Sequence, residues 1–449
     1  MQDGKGVGLH PGTFVLQTIM TSSLFFRWLA LVAGLAAVAP PLVAQDNAAL
    51  LNLLVRKGVL SDQEADDIRS DLAKENSAAL VTTSKTNNLE KLSLGARFQT
   101  QFVDLDTDTG GAIANPANIQ HFFQRRIYFG LRAQFSANWS SYLNYDFAGS
   151  TFDQATISWR HSDQLVVDFG LRKVPFGYDE WSISSGALKS IERSTVTRFF
   201  VEGNNGRRLG AGSYHQGVFI GGASTNGEFT YNVAVTNPER GEDASAAVPG
   251  VGNATNNNFA YWANAGYGVK FGETLLNSFK VGLSAGLLPD QGGPANTNLG
   301  RGYDLSVYSA YADLYSGPYS LVAEYYWAHN ERGASLTQDA NPSGFWVQPS
   351  YRFGAFEPTL RYSFTDSDGR GIVPGDLVRS APIVAGLTFD RLSEWYAGVN
   401  WYPVGNDLKH EVKVQAGYIY AESTRRLTGP AGVSKLKTDG FRSQLQVNF

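Results

Sequence analysis

From Leu92 to the C-terminus the chain alternates apolar and polar residues with a period of two. Leu92, Leu94, Ala96 and Phe98 point one way, and Ser93, Gly95, Arg97 and Gln99 point the other. The pattern returns over 127–135, 279–287, 319–327, 356–364 and 412–420. Period two is the mark of a strand with one apolar face. A soluble sandwich would alternate too, so the position of the large residues decides. Here aromatic residues collect near segment ends on the apolar face, as in the interfacial girdles of a transmembrane barrel.

The connections sharpen this reading. Short turns fall near 136–139, 162–164, 224–227, 272–277, 316–317, 354–355 and 403–409. Long polar or Gly/Pro-rich connections fall near 104–121, 148–152, 174–206, 238–258, 289–302, 329–343, 366–392 and 423–437. Seven short turns alternating with eight long loops separate sixteen strands. An even strand number with short turns on one rim and long loops on the other is the bacterial outer-membrane pattern. The last segment carries Phe441, Ser443, Leu445, Val447 and Phe449 on one face and ends on Phe449. The expected fold is all-β: a 16-stranded antiparallel transmembrane β-barrel over 92–449, with a short N-terminal helical extension.

The residues before the barrel read differently. Arg27 precedes an apolar run over 28–38, followed by Pro40, Pro41 and Val43-Ala44. This is the layout of a secretory signal peptide cleaved after Ala44; its apolar run is too short to span a bilayer. Residues 1–44 are therefore read as the signal peptide, with Met20 as a candidate start and 1–19 upstream of it. Residues 45–77 read as a periplasmic helical segment, with a capping box at Ser61-Asp62-Gln63-Glu64. Residues 78–91 read as a linker.

Composition excludes several classes. The chain has no cysteine, so neither a disulfide scaffold nor a thiolate metal site exists. A net charge of −4 argues against bulk nucleic-acid binding. The six histidines stand in no nucleophile motif and no G-x-S-x-G occurs. No catalytic residue, cofactor or metal site is expected, and the chain is not read as an enzyme.

A barrel of sixteen strands leaves an aqueous lumen. Its selectivity comes from rings of charge and from loops that narrow the bore. Opposite the apolar face stand Arg97, Arg126, Arg132, Arg160, Arg172, Lys280, Arg352, Arg361, Lys413 and Arg442, against the fewer acids Asp146, Asp168, Glu324 and Glu357. Residues 121–215 hold 11 Lys+Arg and 8 Asp+Glu. They include the longest connection, 174–206, third among the long loops. It carries Lys189, Arg193 and Arg198 and leads to Arg207 and Arg208. Such a loop can fold into the bore. Guanidinium forks suit oxyanions, and a row of them would pass an anion from site to site. The alternative is that these arginines pair with lumenal acids and brace the wall.

Five blocks then carry a resemblance. They are Gln124-Arg125-Arg126-Ile127-Tyr128-Phe129-Gly130, Tyr145-Asp146-Phe147-Ala148-Gly149, Gly170-Leu171-Arg172-Lys173-Val174-Pro175-Phe176-Gly177, Ile191-Glu192-Arg193-Ser194 and Gly206-Arg207-Arg208-Leu209-Gly210. In order and spacing across 121–215 the chain resembles the phosphate-selective porin O and P family. The resemblance implies a homotrimeric channel in the bacterial outer membrane, surrounded by lipid, that passes small anions such as phosphate or polyphosphate. It implies that Arg125, Arg126, Arg193 and Arg198 mark the narrow zone, with Tyr128 and Asp153 as neighbours. The expected substrate-binding set is therefore Arg125, Arg126, Tyr128, Arg132, Asp153, Arg172, Lys189, Arg193, Arg198, Arg207 and Arg208. Lysines are scarce among the inner-face positions. A porin for sugars or other small nutrients, or a structural envelope-tethering barrel, stays open as an alternative.

Overall fold

The structure is a computed structural model that describes residues 89–202, 208–237, 258–271, 278–293, 303–382, 386–404, 412–425 and 432–448. The expected signal peptide, the helical segment, most of the linker, Arg207 and Phe449 lie outside the described residues. The first strand begins at Lys91, the last residue of the expected linker.

Seventeen strands form one sheet in the described residues. They are β1 (Lys91–Asp108), β2 (Ile119–Gln134), β3 (Trp139–Asp146), β4 (Thr151–Ser162), β5 (Leu165–Lys173), β6 (Tyr214–Ala223), β7 (Phe229–Thr236), β8 (Ala260–Lys270) and β9 (Ser278–Leu288). There follow β10 (Leu305–Ser316), β11 (Tyr319–Ser335), β12 (Gln338–Ala340), β13 (Ser343–Tyr351), β14 (Phe356–Asp366), β15 (Arg391–Trp401), β16 (Val412–Thr424) and β17 (Lys435–Asn448). The three-residue β12 only extends the tip of β11, which pairs directly with β13. The other sixteen each pair antiparallel with their sequence neighbours. β1 pairs with both β2 and β17, so the sheet closes on itself. Closure leaves no strand edge, the condition for spanning hydrocarbon with sheet.

Burial along the strands is inverted relative to a soluble protein. Leu283 is 61% exposed and Ile157 53%, while Gln415 and Ser363 are fully buried. The alternation thus places apolar side chains outside and polar ones inside, as hydrocarbon outside and water inside demand. Aromatic rings continue from strand to strand along the short-turn rim. Tyr319 lies 4.7 Å from Tyr351, Phe353 lies 5.9 Å from Phe356, and Phe356 lies 6.4 Å from Trp401, measured between ring centroids.

Two expected long connections differ. The one near 148–152 is a four-residue turn at 147–150, because Asp146 accepts from the backbone N–H of both Ile127 and Ala148, at 3.0 Å each, and holds the chain back on the wall. The one near 329–343 is largely strand, since β11 runs on to Ser335 and folds back through β12.

The long connection 174–213 folds against the inner face. It carries two short helices, α1 (Tyr178–Trp181) and α2 (Thr195–Phe200). The second begins where Ser194 Oγ accepts the backbone N–H of Thr197 at 3.1 Å, an N-cap. A third short helix, α3 (Pro374–Leu377), lies in the connection before β15. Phe176, Val196, Phe199 and Phe200 of the loop pack with inward-facing Trp262, Tyr326 and Trp346 in one apolar cluster. Phe200 stacks on Tyr326 at 5.2 Å and Tyr178 on Tyr311 at 4.2 Å. The lumen of this barrel therefore holds a true hydrophobic core on one side, which fixes where the loop sits.

Candidate functional site

Polar anchors complete the docking of the loop. Glu324 of β11 accepts the backbone N–H groups of Tyr178 and Asp179 at 2.7 and 3.2 Å, at the start of α1. Lys189 bonds Ser320 and Ser350 and pairs with Glu357 at 3.1 Å. Lys413 donates to the carbonyls of Gly186 and Leu188 at 2.8 and 2.7 Å. Arg361 donates to the carbonyl of Glu192 at 2.6 Å while paired with Glu394 at 2.7 Å. These contacts tie the loop to β11, β13, β14 and β16.

The opposite wall faces a cavity of about 370 Å³. It is lined by Arg125, Arg126, Tyr128, Asp146 and Asp153 from β2–β4, Lys173 from β5, and Tyr214 from β6. The loop contributes Glu180, Ser185, Arg193, Glu202 and Arg208 among others.

Two adjacent arginines line this cavity because the strand is bulged. The β1–β2 register runs Gln99↔Arg126 and then Thr100↔Gln124, leaving Arg125 as an extra residue. Strict alternation would send one of the pair outward; the bulge re-aims it. Arg125 donates to both carboxylate oxygens of Glu192, at 2.6 and 3.1 Å. Arg126 donates to Gln99 Oε1 at 2.8 Å, and Gln99 in turn donates to the carbonyl of Ser185 at 3.1 Å.

The remaining expected residues divide into braced and open ones. Arg172 pairs with Asp168 and lies 5.2 Å from the Phe219 ring centroid. Arg193 pairs with Asp179 at 3.1 Å and with Glu180. Arg198 pairs with Glu202 at 3.1 Å and donates to the Leu377 carbonyl at 3.0 Å. Arg208 pairs with Glu202 at 2.8 Å. Lys189 is consumed by the docking described above. Asp153 accepts from the Tyr214 hydroxyl at 3.0 Å. Arg160, an inner-face candidate, is exposed beside Asp163 at 2.8 Å near a short turn. Among the described residues Arg97, Arg126 and Arg132 have no carboxylate within ion-pair distance.

Two of these arginines, Arg97 of β1 and Arg132 of β2, lie against rings of the next strand. The Arg97 guanidinium lies 5.8 Å from the Tyr128 ring centroid, and Arg132 lies 5.1 Å from that of Tyr142. Arg97 and Tyr128 are direct cross-strand partners. Arg97 also donates to Ser185 Oγ at 2.7 Å, so it touches the loop as Arg126 does through Gln99. The loop carboxylates are what sequence reasoning missed. The Arg198…Glu202 spacing was the available signal, since i,i+4 pairs meet on a helix.

Comparison with known proteins agrees with this architecture. No curated protein matches the sequence. Among solved structures, the anion-selective porin from Comamonas acidovorans is similar at 12% identity and a TM-score of 0.53, over 80% of this chain and 99% of that one. Salmonella typhi OmpF in complex with daunomycin is similar at 13% identity and a TM-score of 0.52, over 81% and 99%. At these identities the likeness is one of fold. The family model for phosphate-selective porin O and P matches residues 92–449, the whole barrel. The inverted wall, the closed sheet and this match together make the chain an outer-membrane channel protein of bacteria, a member of the phosphate-selective porin O and P family.

Proposed function

We propose that the barrel passes small anions by passive diffusion, with phosphate or polyphosphate as the expected substrate, and that the loop 174–213 narrows the bore at the cavity beside β2–β6. The observation that carries this reading is the set Arg97, Arg126 and Arg132. Acids neutralise most of the other cations near the loop, so these three dominate the field on the open side. Fixed guanidinia at a narrow, low-dielectric wall favour anion entry. Each has a hydrogen-bond or ring partner that orients it without cancelling its charge. The solved anion-selective porin shares the same barrel, which is compatible with this reading.

The paired charges favour a second reading. Lys173 and Arg193 around Glu180, and Arg208–Glu202, give the cavity a mixed lining, which suits small polar nutrients without phosphate selectivity. Single-channel recording in chloride and in phosphate separates the two. Phosphate block that is lost in Arg126→Ala supports the first; absence of block with sugar permeation supports the second. The chain is read as one subunit of a homotrimer, exported by the signal over 1–44, with the helical segment 45–77 and linker on the periplasmic side.

A further inference from the structure

Arg442 of β17 is 1% exposed, and among the described residues none of its Nε, Nη1 and Nη2 atoms has a hydrogen-bond partner. It sits opposite Val103 on β1 and Gly417 on β16. The charged groups facing it are Glu192, Arg198, Glu394 and Arg125. Both acids are already engaged: Glu192 by Arg125 and Arg379, Glu394 by Arg361. The other two groups are cations that add to its charge. A buried guanidinium left without partners is strongly unfavourable.

A second orphan lies beside it. Tyr396 of β15 is 1% exposed; its hydroxyl oxygen faces the backbone N–H of Ile191 on the loop, and among the described residues its own O–H meets no acceptor. That hydroxyl lies over Gly417, where a β-carbon would come within 2.5 Å of it, and over Gly398, within 2.4 Å. The two glycines open the niche that brings the tyrosine next to Arg442. The two side chains lie within electrostatic reach of one another, on strands that flank β16.

We propose that Arg442 and Tyr396 enclose a small inorganic oxyanion, resident between the loop and the wall rather than in transit. The planar guanidinium edge supplies two parallel donors for it, and the phenol supplies a third. The anion supplies the negative charge that Glu192 and Glu394 cannot, and its loss would loosen the face on which the loop rests.

The test is thermal unfolding of the purified full-length protein in detergent, in inorganic phosphate against gluconate at matched ionic strength. A ligand that binds only the folded state raises the melting temperature with its concentration. Arg126→Ala, which lacks the pore arginine, is expected to keep a saturable rise, which separates this site from the pore. The rise is expected to disappear in Arg442→Leu and to need several-fold more phosphate in Tyr396→Phe. A wild-type melting temperature indifferent to phosphate, meaning ordered water alone fills the niche, overturns the proposal. So does an unchanged phosphate response in Tyr396→Phe, which serves if Arg442→Leu does not fold.

Discussion

The Glu192 carboxylate of the docked loop receives both Nε and Nη2 of Arg125 on the wall, at 2.6 and 3.1 Å. It also accepts Gln101 Nε2 at 2.9 Å. This one acid therefore cancels the bulge arginine and pins the loop to β1 and β2. Replacing Glu192 with Gln removes the negative charge while keeping a hydrogen-bonding group. The expected result is a higher anion-to-cation permeability ratio, read from the reversal potential in a salt gradient.

Lys189 anchors the far side of the loop through Glu357, Ser320 and Ser350. Lys189→Ala removes the ion pair of Glu357 while its bonds from Tyr402 and Asn400 remain, so the loss stays below the roughly 3–5 kcal/mol of a fully orphaned buried charge. The expected readout is a larger, noisier single-channel conductance with a lowered unfolding midpoint. An unchanged conductance would mean the apolar cluster alone holds the loop.

Glu192 and Glu202 lie on the loop, outside the strands. Burial works against their charge, but Arg125 and Arg379 hold Glu192 well below the ordinary carboxylate range, and Arg198, Arg208 and Arg379 do the same for Glu202. A group whose folded pKa is lowered stabilises fully above its unfolded value of about 4.3, and this stabilisation is lost as pH falls through the folded value. The share of loop docking that these two acids supply should therefore be flat from pH 8 down to about pH 5 and weaken only in stronger acid. Conductance noise recorded across that range checks it.

The wall itself makes a paired prediction. Leu283 is 61% exposed on the outer face while its neighbour Ser284 is buried on the inner one. Leu283→Arg should destabilise the inserted barrel by about 2–4 kcal/mol if it lies near the bilayer midplane. Ser284→Asn should not share that lipid-face penalty. Urea unfolding from lipid vesicles distinguishes them.

The contrast between Leu283 and Arg125 also shows what the sequence could reveal. Leu283 and Ser284 alternate with the strand, so their faces follow from period two alone. So do the sixteen strands and most of their connections. Arg125 breaks the period, and the bulge that turns it inward leaves no mark in the alternation; its inward place came from family resemblance. Glu324 reads as a lumenal acid, and it is inward, but its partners are backbone N–H groups of α1 delivered by a loop 146 residues away in sequence. Whether Arg193 and Arg198 stand free or brace the wall stays open in the sequence, because a non-periodic loop hides which acids reach them. Short-range pattern fixed the wall; the loop's pairing depends on contacts that close only after the barrel forms.

The most direct test of the anion reading is the zero-current potential of the reconstituted channel across a potassium chloride gradient. Wild type is expected to give an anion-directed potential, and Arg97→Ala, Arg126→Ala and Arg132→Ala are each expected to move it toward zero. A cation-directed potential in the wild type, or no movement in all three variants, would contradict it.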